Sequence, residues 1–188
     1  MNNHNLWQGE HVRLRAVEPE DWKIFTQWDL DSDMARECYW VPFPKSQEAA
    51  RKHALDSSLE APKDDNFNMV IENEKGEFVG VINPHDCDVR NGTFKYGLAV
   101  RREYQRRGYA SEAIRLVLRY FFEELRYQKV TVEIYDFNEA SIKLHEKLGY
   151  QHEGRIRREY FTRGEYHDTI IMGMTREEWR DMKSMLDG

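Results

Sequence analysis

One segment constrains the fold of this chain more than any other: a run of helical periodicity between two runs of strand periodicity. In residues 109–125 the apolar positions recur at helical spacing, while charged residues mark another face. A predicted strand at residues 94–100 precedes this helix, and another at residues 129–134 follows it. In the second strand, Val130, Val132 and Ile134 alternate with polar neighbours. A strand, helix and strand in this order predict a crossover connection within a mixed α/β domain.

The first third of the chain predicts a strand and two helices. Residues 12–17 alternate at period two and indicate a strand, and Glu18-Pro19 then opens a helix whose apolar side carries Trp22, Phe25 and Trp28. Irregular chain is expected to run through residues 38–44. Ser46 begins a second helix, which Pro62 must end.

The remaining pattern predicts an antiparallel meander and a closing pair of strands. Turn signals join the predicted strands 68–72, 77–83 and 94–100, and hairpin-like connections favour antiparallel pairing. After the crossover, Asn138 is expected to cap a short helix that Gly149 ends. Strands at 150–161 and 165–174 and a helix from Thr175 complete a mixed, mostly antiparallel sheet of about seven strands flanked by helices.

Length and charge exclude several classes of protein. The 188 residues carry 28 Lys and Arg against 34 Asp and Glu, a net charge of -6, and contain no repeat or linker. We therefore expect one acidic domain over residues 1–188, and a balance of this sign argues against nucleic-acid and anionic-membrane partners. The start lacks a signal peptide, and no apolar stretch is long enough to span a membrane, so a cytoplasmic location is expected.

The two cysteines give no indication of a metal site. Cys38 and Cys87 are isolated rather than in a Cys-x-x-Cys pair, which fits a reducing compartment and leaves no thiolate metal site. The histidines also lack a recognised ligand spacing, and we therefore expect no bound metal.

A basic loop precedes the long helix. Four arginines lie within residues 101–107, and cations at a helix N-terminus oppose the macrodipole by about 0.3 to 1 kcal/mol each. A bound phosphate would make the interaction of these arginines at the helix N-terminus favourable. First-turn N–H groups, Gly108 and the guanidinium groups would then together form a pyrophosphate cradle. A solvated basic loop explains the residues equally well. Neither G-x-x-x-x-G-K-[ST] nor G-x-G-x-x-G is present, so NTPases and dinucleotide oxidoreductases have no support.

The segment Gln105-Arg106-Arg107-Gly108-Tyr109-Ala110 resembles the Q/R-x-x-G-x-G/A motif of the GNAT superfamily of N-acetyltransferases. Residues 138–150 resemble a second segment of that superfamily, and residues 153–172 resemble the branch containing ribosomal-protein N-terminal and spermidine acetyltransferases. The resemblance covers nearly the whole chain, strongly from Phe94 onward and loosely before Asn68. It implies the GNAT fold.

The resemblance also implies acetyl-CoA as cosubstrate. Backbone groups of one strand would hold the pantetheine arm, loop amides the pyrophosphate, and Asn138 would approach the pantetheine. The implied acetyl-CoA residues are Leu98, Ala99, Val100, Gln105, Arg106, Arg107, Gly108, Tyr109, Ala110, Ser111, Asn138 and Ser141. Independently of the family, Asn138, Ser141 and His145 share one helix face by their spacing. An N-cap with solvated neighbours is the alternative explanation of that polar stripe.

One departure concerns the general acid. Many members carry Tyr where this sequence has His145, and that Tyr is the implied proton donor to the departing thiolate. A histidine with a pKa near 6.5 can protonate a thiolate, which is the stronger base by about two units. A structural or exposed histidine is the alternative, and Tyr150, directly after the helix, is the substitute donor.

The general base is less clear from the residues. Asp86 is the candidate, together with His85 and Asp88, although a solvated turn explains the same cluster. Spermidine acetyltransferases carry Glu where this chain has Lys95, which weakens a polyamine assignment.

The expected function is acetyl transfer to a primary amine, either a protein N-terminus or a small amine, by direct attack in a ternary complex. The rival is a noncatalytic acyl-CoA-binding or sensor domain. Among enzymes, polyamine and antibiotic amine acetyltransferases are alternatives, and a homodimer is left open. The net acidity suggests the further hypothesis that the acceptor is cationic.

Overall fold

The structure is a computed structural model that describes residues 5–187. Seven strands form one sheet in the order β1-β2-β3-β4-β5-β7-β6. The strands are β1 Val12–Ala16, β2 Met69–Asn73, β3 Phe78–Asp88, β4 Thr93–Val100, β5 Lys129–Tyr135, β6 Gln151–Thr162 and β7 Glu165–Thr175. The helices are α1 Trp22–Trp28, α2 Ser32–Cys38, α3 Gln47–Leu59, α4 Tyr109–Arg119, α5 Glu139–Lys147 and α6 Arg176–Asp187. The predicted mixed α/β class with seven strands is confirmed.

The chain divides into two compact units, one with residues up to 84 and 97–117, the other with 85–96 and the remainder from 118. In the first unit, β2 pairs antiparallel with β1 and with β3. Phe78 lies in its core with Val17 and Val70, and the rings of Phe25 and Trp28 meet Phe78 edge-on at 5.6 and 5.8 Å. The apolar side predicted for the first helix is therefore the side that packs.

Helix α2 was not predicted. Of the stretch 38–44 that was expected to be irregular, only Cys38 lies in this helix, and residues 39–44 are outside helices and strands as predicted. Asp31 caps the helix, since its side chain accepts hydrogen bonds from the backbone N–H groups of Asp33 and Met34 at 3.2 and 3.0 Å. Met34 is the one buried residue of α2, so the sequence shows no periodic apolar stripe like the one that indicated α1, a helix of the same length. The predicted start of the second helix at Ser46 is confirmed: Ser46 is the N-cap of α3, and its hydroxyl accepts a hydrogen bond from the N–H of Ala49 at 3.1 Å.

Strand β3 is longer than predicted, because it continues through Pro84 to Asp88. Its pairing with β2 ends at Met69↔Ile82, so the missing N–H of Pro84 removes no ladder bond to that neighbour. Asp86 therefore lies within a strand, with a φ of +49°, rather than in a turn after it.

The crossover that the sequence predicted is present, and the paired residues of its two parallel strands lie in the second unit. β4 and β5 pair in parallel from Thr93↔Lys129, and α4 connects them in the chain. β7 pairs antiparallel with β5 and with β6. The predicted long helix is confirmed with one change: after α4 it continues as a π-helix over Tyr120–Glu124. Its Phe121 ring stacks on Phe94 at 4.1 Å in the core of this unit.

Candidate active site

The loop before α4 has a strained backbone that opens space at the helix N-terminus. A 3-10 turn at Arg102–Tyr104 leads into Arg106, whose φ is +61°, and Gly108, whose φ is +85°. A Cβ placed on Gly108 would meet no atom within 4 Å, so the position faces open space. The backbone N–H groups of the first turn of α4, from Tyr109 on, have no partner within the helix. Tyr109 is buried, and Ala110 and Ser111 are half-buried beside this space.

The four arginines of the loop divide into three that are held by the protein and one that is not. Arg101 donates to the carbonyl of Phe78 at 3.0 Å, and Arg107 donates to the carbonyl of Glu103 at 2.9 Å. Arg102 makes two 3.1 Å bonds to the Asp31 carboxylate, and this contact lowers the pKa of Asp31. Arg106 makes no hydrogen bond or ion pair with any residue from 5 to 187. Its guanidinium is thus the cation available to an anion at the helix N-terminus.

The end of β4 supplies the backbone that the resemblance assigns to pantetheine. Leu98, Ala99 and Val100 are half-buried there, and the Gln105 side chain donates to the Val100 carbonyl at 3.2 Å. A Cβ on Gly80 of β3 would lie 2.5 Å from the Ala99 carbonyl oxygen, so glycine is required for this close approach. The structure therefore places Gln105 against the predicted pantetheine strand.

A buried acid anchors the start of α4, which the sequence pattern assigned to the charged face of the helix. The Glu112 carboxylate accepts hydrogen bonds from the backbone N–H groups of Glu10 and His11, the latter at 3.1 and 3.2 Å. A Cβ on Gly9 would overlap this carboxylate. The sequence signal was Gly9 itself, but nothing local connects it with a residue about a hundred positions later.

In the second unit, the polar stripe on α5 continues into a buried hydrogen-bonded cluster. Asn138 caps the helix by accepting from the N–H of Ser141 at 3.1 Å, as the capping alternative predicted. His145 Nδ1 lies 2.8 Å from the Ser141 carbonyl oxygen, and His145 Nε2 lies 2.9 Å from the hydroxyl of Tyr96. The Tyr96 hydroxyl is also 2.9 Å from that of Tyr150.

The proton positions in this cluster follow from the partners. The Ser141 carbonyl only accepts, so Nδ1 of His145 carries the ring proton. Burial lowers the pKa of His145, which keeps the ring neutral and leaves Nε2 as an acceptor. Tyr96 therefore donates its single proton to Nε2, and Tyr150 donates to Tyr96. Burial raises the pKa of both tyrosines, so their hydroxyls stay protonated.

The structure joins both predicted proton donors, His145 and Tyr150, but only through Tyr96, which the sequence analysis missed. His145, Tyr150 and Tyr96 are 3%, 3% and 5% exposed, so bulk water is excluded from their polar atoms. The available signal for Tyr96 was that Phe94, Tyr96 and Leu98 occupy every second position of the strand. This spacing puts their side chains on one face and predicts an inward side chain for Tyr96, but it does not predict the partners of its hydroxyl.

Asp86, the predicted base, lies in a separate group. Its side chain is 65% exposed and lies 3.4 Å from Lys95 Nζ, which binds Glu133 at 2.6 Å. The hydrogen bond to Glu133 is the main cause of the raised pKa of Lys95. No hydrogen bond or ion pair joins Asp86 to His145 or Tyr150, and its role as a base stays a prediction.

Residues 5–187 contain no group of three or more His, Cys, Asp or Glu side chains that could hold a metal ion. None of the helices within those bounds is long and apolar enough to cross a membrane.

Comparison with known proteins identifies the family. Residues 11–151 match the family model described as an acetyltransferase (GNAT) domain. The chain is 45% identical over 173 residues to the SPbeta prophage-derived uncharacterized N-acetyltransferase YokL of Bacillus subtilis (strain 168), covering 92% of this chain and 94% of that protein. It is 26% identical to spermidine N(1)-acetyltransferase of Escherichia coli (strain K12), covering 89% and 88%.

The chain is also 24% identical to a Bacillus subtilis (strain 168) protein named "Putative ribosomal N-acetyltransferase YdaF", covering 93% of this chain and 96% of that one. A crystal structure of spermidine N-acetyltransferase from Vibrio cholerae in complex with CoA and spermine shares the fold, with a TM-score of 0.78 at 19% identity, covering 90% and 98%. The chain belongs to the GNAT acetyltransferase family and is an acetyl-CoA-dependent N-acetyltransferase.

Proposed function

We propose that residues 1–188 form one domain that transfers the acetyl group of acetyl-CoA to a primary amine, either a protein N-terminus or a small amine. The observation that carries the proposal is the loop before α4. Arg106 lies there without a partner in the described part of the chain, and Gly108 opens space in front of first-turn N–H groups that have no partner within the helix. Cation, open space and free donors together match a pyrophosphate group.

The residues present fit acetyl-CoA. Arg106 and the amides of residues 107–110 would hold the pyrophosphate, with Arg107, Gly108, Tyr109, Ala110 and Ser111 shaping the cradle. Gln105 and the backbone of residues 98–100 would meet the pantetheine arm, to which Asn138 and Ser141 would add polar groups. When bound, acetyl-CoA supplies a thioester carbonyl that an amine can attack.

The protein must then handle protons and orient the amine. An amine attacks only when neutral, and a primary ammonium has a pKa near 10.4, so its proton must leave first. His145 and Tyr150 are the proposed proton-handling groups on the thiolate side, and Asp86 is the candidate base from the sequence. The transfer proceeds by direct attack in a ternary complex, in which binding replaces a collision between the two substrates.

The acceptor class rests on two kinds of relative. YdaF and the spermidine acetyltransferases have names that assign ribosomal and polyamine amines respectively. Lys95 of this chain stands where the resemblance places a Glu in spermidine acetyltransferases, and it is ion-paired with Glu133 and Asp86. A lysine at this position replaces a carboxylate that could bind a polyamine, so a protein N-terminus or small monoamine is the better match.

The test is a turnover assay. Purified protein and acetyl-CoA are mixed separately with N-terminal peptides, aminoglycosides, polyamines and small monoamines, and release of free CoA thiol is measured. We expect release above hydrolysis with at least one N-terminal peptide or monoamine, and less with spermidine. Tight acetyl-CoA binding without turnover for any amine would overturn the proposal and favour the noncatalytic alternative.

A further inference from the structure

The hydrogen bonds between the side chains of the buried cluster in the second unit all run in one direction, from Tyr150 through Tyr96 to His145. Each hydroxyl has one proton, and each is committed: Tyr150 donates to Tyr96, and Tyr96 donates to His145 Nε2. The other ring nitrogen of His145 donates to the Ser141 carbonyl. His145 consequently has no N–H directed at any group outside the cluster, whereas the Tyr150 oxygen keeps free lone pairs and has no further partner among residues 5–187.

We propose that Tyr96 is a positioning residue that joins Tyr150 and His145 into a proton relay, in which His145 takes up a proton from the attacking amine and returns it to the thiolate. This inference rests on the proposed function. It assigns a role to a residue on β4 that neither the motifs nor the family comparison marks.

The relay balances atoms and charge. The neutral amine nitrogen attacks the thioester carbon: a C–N bond forms, the C=O π bond opens so that the oxygen becomes negative, and an N–H proton passes to the Tyr150 oxygen. Tyr150 passes its proton to Tyr96, and Tyr96 passes its own to Nε2 of His145, which becomes an imidazolium. The C=O double bond then re-forms, the C–S bond breaks, and sulfur keeps the electron pair. The three protons move back, sulfur is protonated, and amide, free thiol and neutral His145 result.

This route avoids a buried tyrosinate. Burial raises the pKa of Tyr96 and Tyr150, so a lasting phenolate at either position would be costly. In a concerted shift each tyrosine gives one proton and receives another, and only the imidazole changes charge. The imidazolium keeps its Nδ1–H bond to the Ser141 carbonyl. The titratable groups against the ring are Tyr96 of β4 and Tyr150 at the end of α5.

Tyr96 is close in the chain to the segment proposed to meet the pantetheine arm. Tyr96 and Leu98 are two residues apart on β4, so their side chains project to the same face of the strand.

The first test examines the free protein and needs no turnover. Nitrogen-15 NMR of the wild type, with the His145 signals identified by their loss in His145→Gln, reports which ring nitrogen is protonated. We expect a neutral ring with its proton on Nδ1 at pH 7. A proton on Nε2, or an imidazolium at pH 7, would overturn the relay, because Tyr96 would then be unable to donate.

The second test separates a relay from a structural role. Tyr96→Phe keeps the ring but removes both hydrogen bonds, and we expect kcat to fall about 100-fold while the acetyl-CoA KM stays within about twofold. Tyr127→Phe, at another buried tyrosine of this unit, is the matched control and should fall by less than about threefold. His145→Gln retains an acceptor for Tyr96 but cannot take up a proton, and the same loss of kcat is expected.

Full turnover in either Tyr96→Phe or His145→Gln would overturn the inference. The two tests also distinguish their failure from that of the proposed function. If the wild type acetylates no amine but shows the Nδ1–H tautomer, the proposed function fails while the proton order in the cluster stands. If the wild type turns over and Tyr96→Phe does too, the function stands and the relay fails.

Discussion

The loop before α4 and the buried cluster in the second unit are built in opposite ways. The loop is exposed and charged, and it leaves one cation, Arg106, without a protein partner. The cluster is neutral and almost completely buried, and the hydroxyl of Tyr96 binds a partner on each side. A phosphate site needs donors that the protein has not already used, whereas proton transfer needs fixed donors in a dry environment. We therefore expect acetyl-CoA binding and turnover to be separable by mutation.

The largest expected effect is at Gly108. Gly108→Leu places a side chain in the open space of the loop and imposes a φ of +85° on an L-residue, at a cost of about 1 to 2 kcal/mol. We expect the acetyl-CoA Kd, measured by isothermal titration calorimetry, to rise on the order of 100-fold through loss of phosphate contacts.

Gly164 offers a matched control for this substitution. It has a φ of +84° and, like Gly108, no atom within 4 Å of an added Cβ, but it lies in the turn between β6 and β7. Gly164→Leu carries the same strain and should leave the acetyl-CoA Kd unchanged. An equal loss of affinity in both variants would show that strain, rather than the lost cradle, causes the effect.

A tenfold effect is expected at Arg106. Arg106→Gln removes the unpartnered cation, and loss of one charge-assisted hydrogen bond should raise the acetyl-CoA KM about tenfold. Arg102→Gln is the comparison, since that guanidinium is already bound to Asp31. If Arg102→Gln raises the KM as much as Arg106→Gln, the division of the arginines into held and available groups is wrong.

The buried cluster predicts a pH dependence of stability. The pKa of His145 is lowered in the folded protein below its ordinary value of 6.5, so the unfolded chain binds a proton first as the pH falls. The free energy of unfolding should therefore decrease below about pH 6.5, by at most about 1.4 kcal/mol per pH unit, until the folded ring is also protonated. Urea unfolding of wild type and His145→Gln between pH 7.5 and 5.5 measures this. The free energy of unfolding of the wild type should fall more steeply with decreasing pH than that of His145→Gln. An identical pH dependence in the two proteins would contradict a buried neutral histidine.

The smallest effect is expected at Asp86. Its carboxylate is exposed and paired with Lys95, and exposed ion pairs contribute about 0 to 1 kcal/mol. If the relay accepts the proton of the attacking amine, Asp86→Asn should lower kcat by no more than about threefold, with Asp88→Asn as control. A loss of about tenfold or more in Asp86→Asn alone would return the base to Asp86.

The two regions also differ in how far sequence reasoning reached. The loop is contiguous in the chain, so its residue types, its glycine and its position before an amphipathic helix were all visible. Which arginine is available was not visible, because Asp31 and the Phe78 carbonyl bind their arginines from distant segments. The strands, and the helices whose apolar residues recur at helical spacing, were predicted well, whereas α2 lacks such a stripe and was missed.

The cluster shows the opposite limit. His145 and Tyr150 are close in sequence and were both singled out, but Tyr96 lies 49 residues before His145. Its hydroxyl is the partner of Nε2 of the His145 ring, and this pairing joins two segments that no local pattern connects. Strand alternation predicts only that Tyr96 points inward. Glu112 was misjudged for the same reason, because its partners are backbone groups of the N-terminal segment.

The most direct measurement of the central claim compares Gly108→Leu and Tyr96→Phe in one set of experiments. Acetyl-CoA Kd is measured by calorimetry, and the acetyl-transfer rate is measured in single turnovers with saturating amine. We predict that Gly108→Leu mainly weakens acetyl-CoA binding and that Tyr96→Phe mainly slows the transfer, with little change in Kd. If both variants lose affinity alike, or Tyr96→Phe transfers acetyl at the wild-type rate, the separation of an exposed binding loop from a buried proton relay is contradicted.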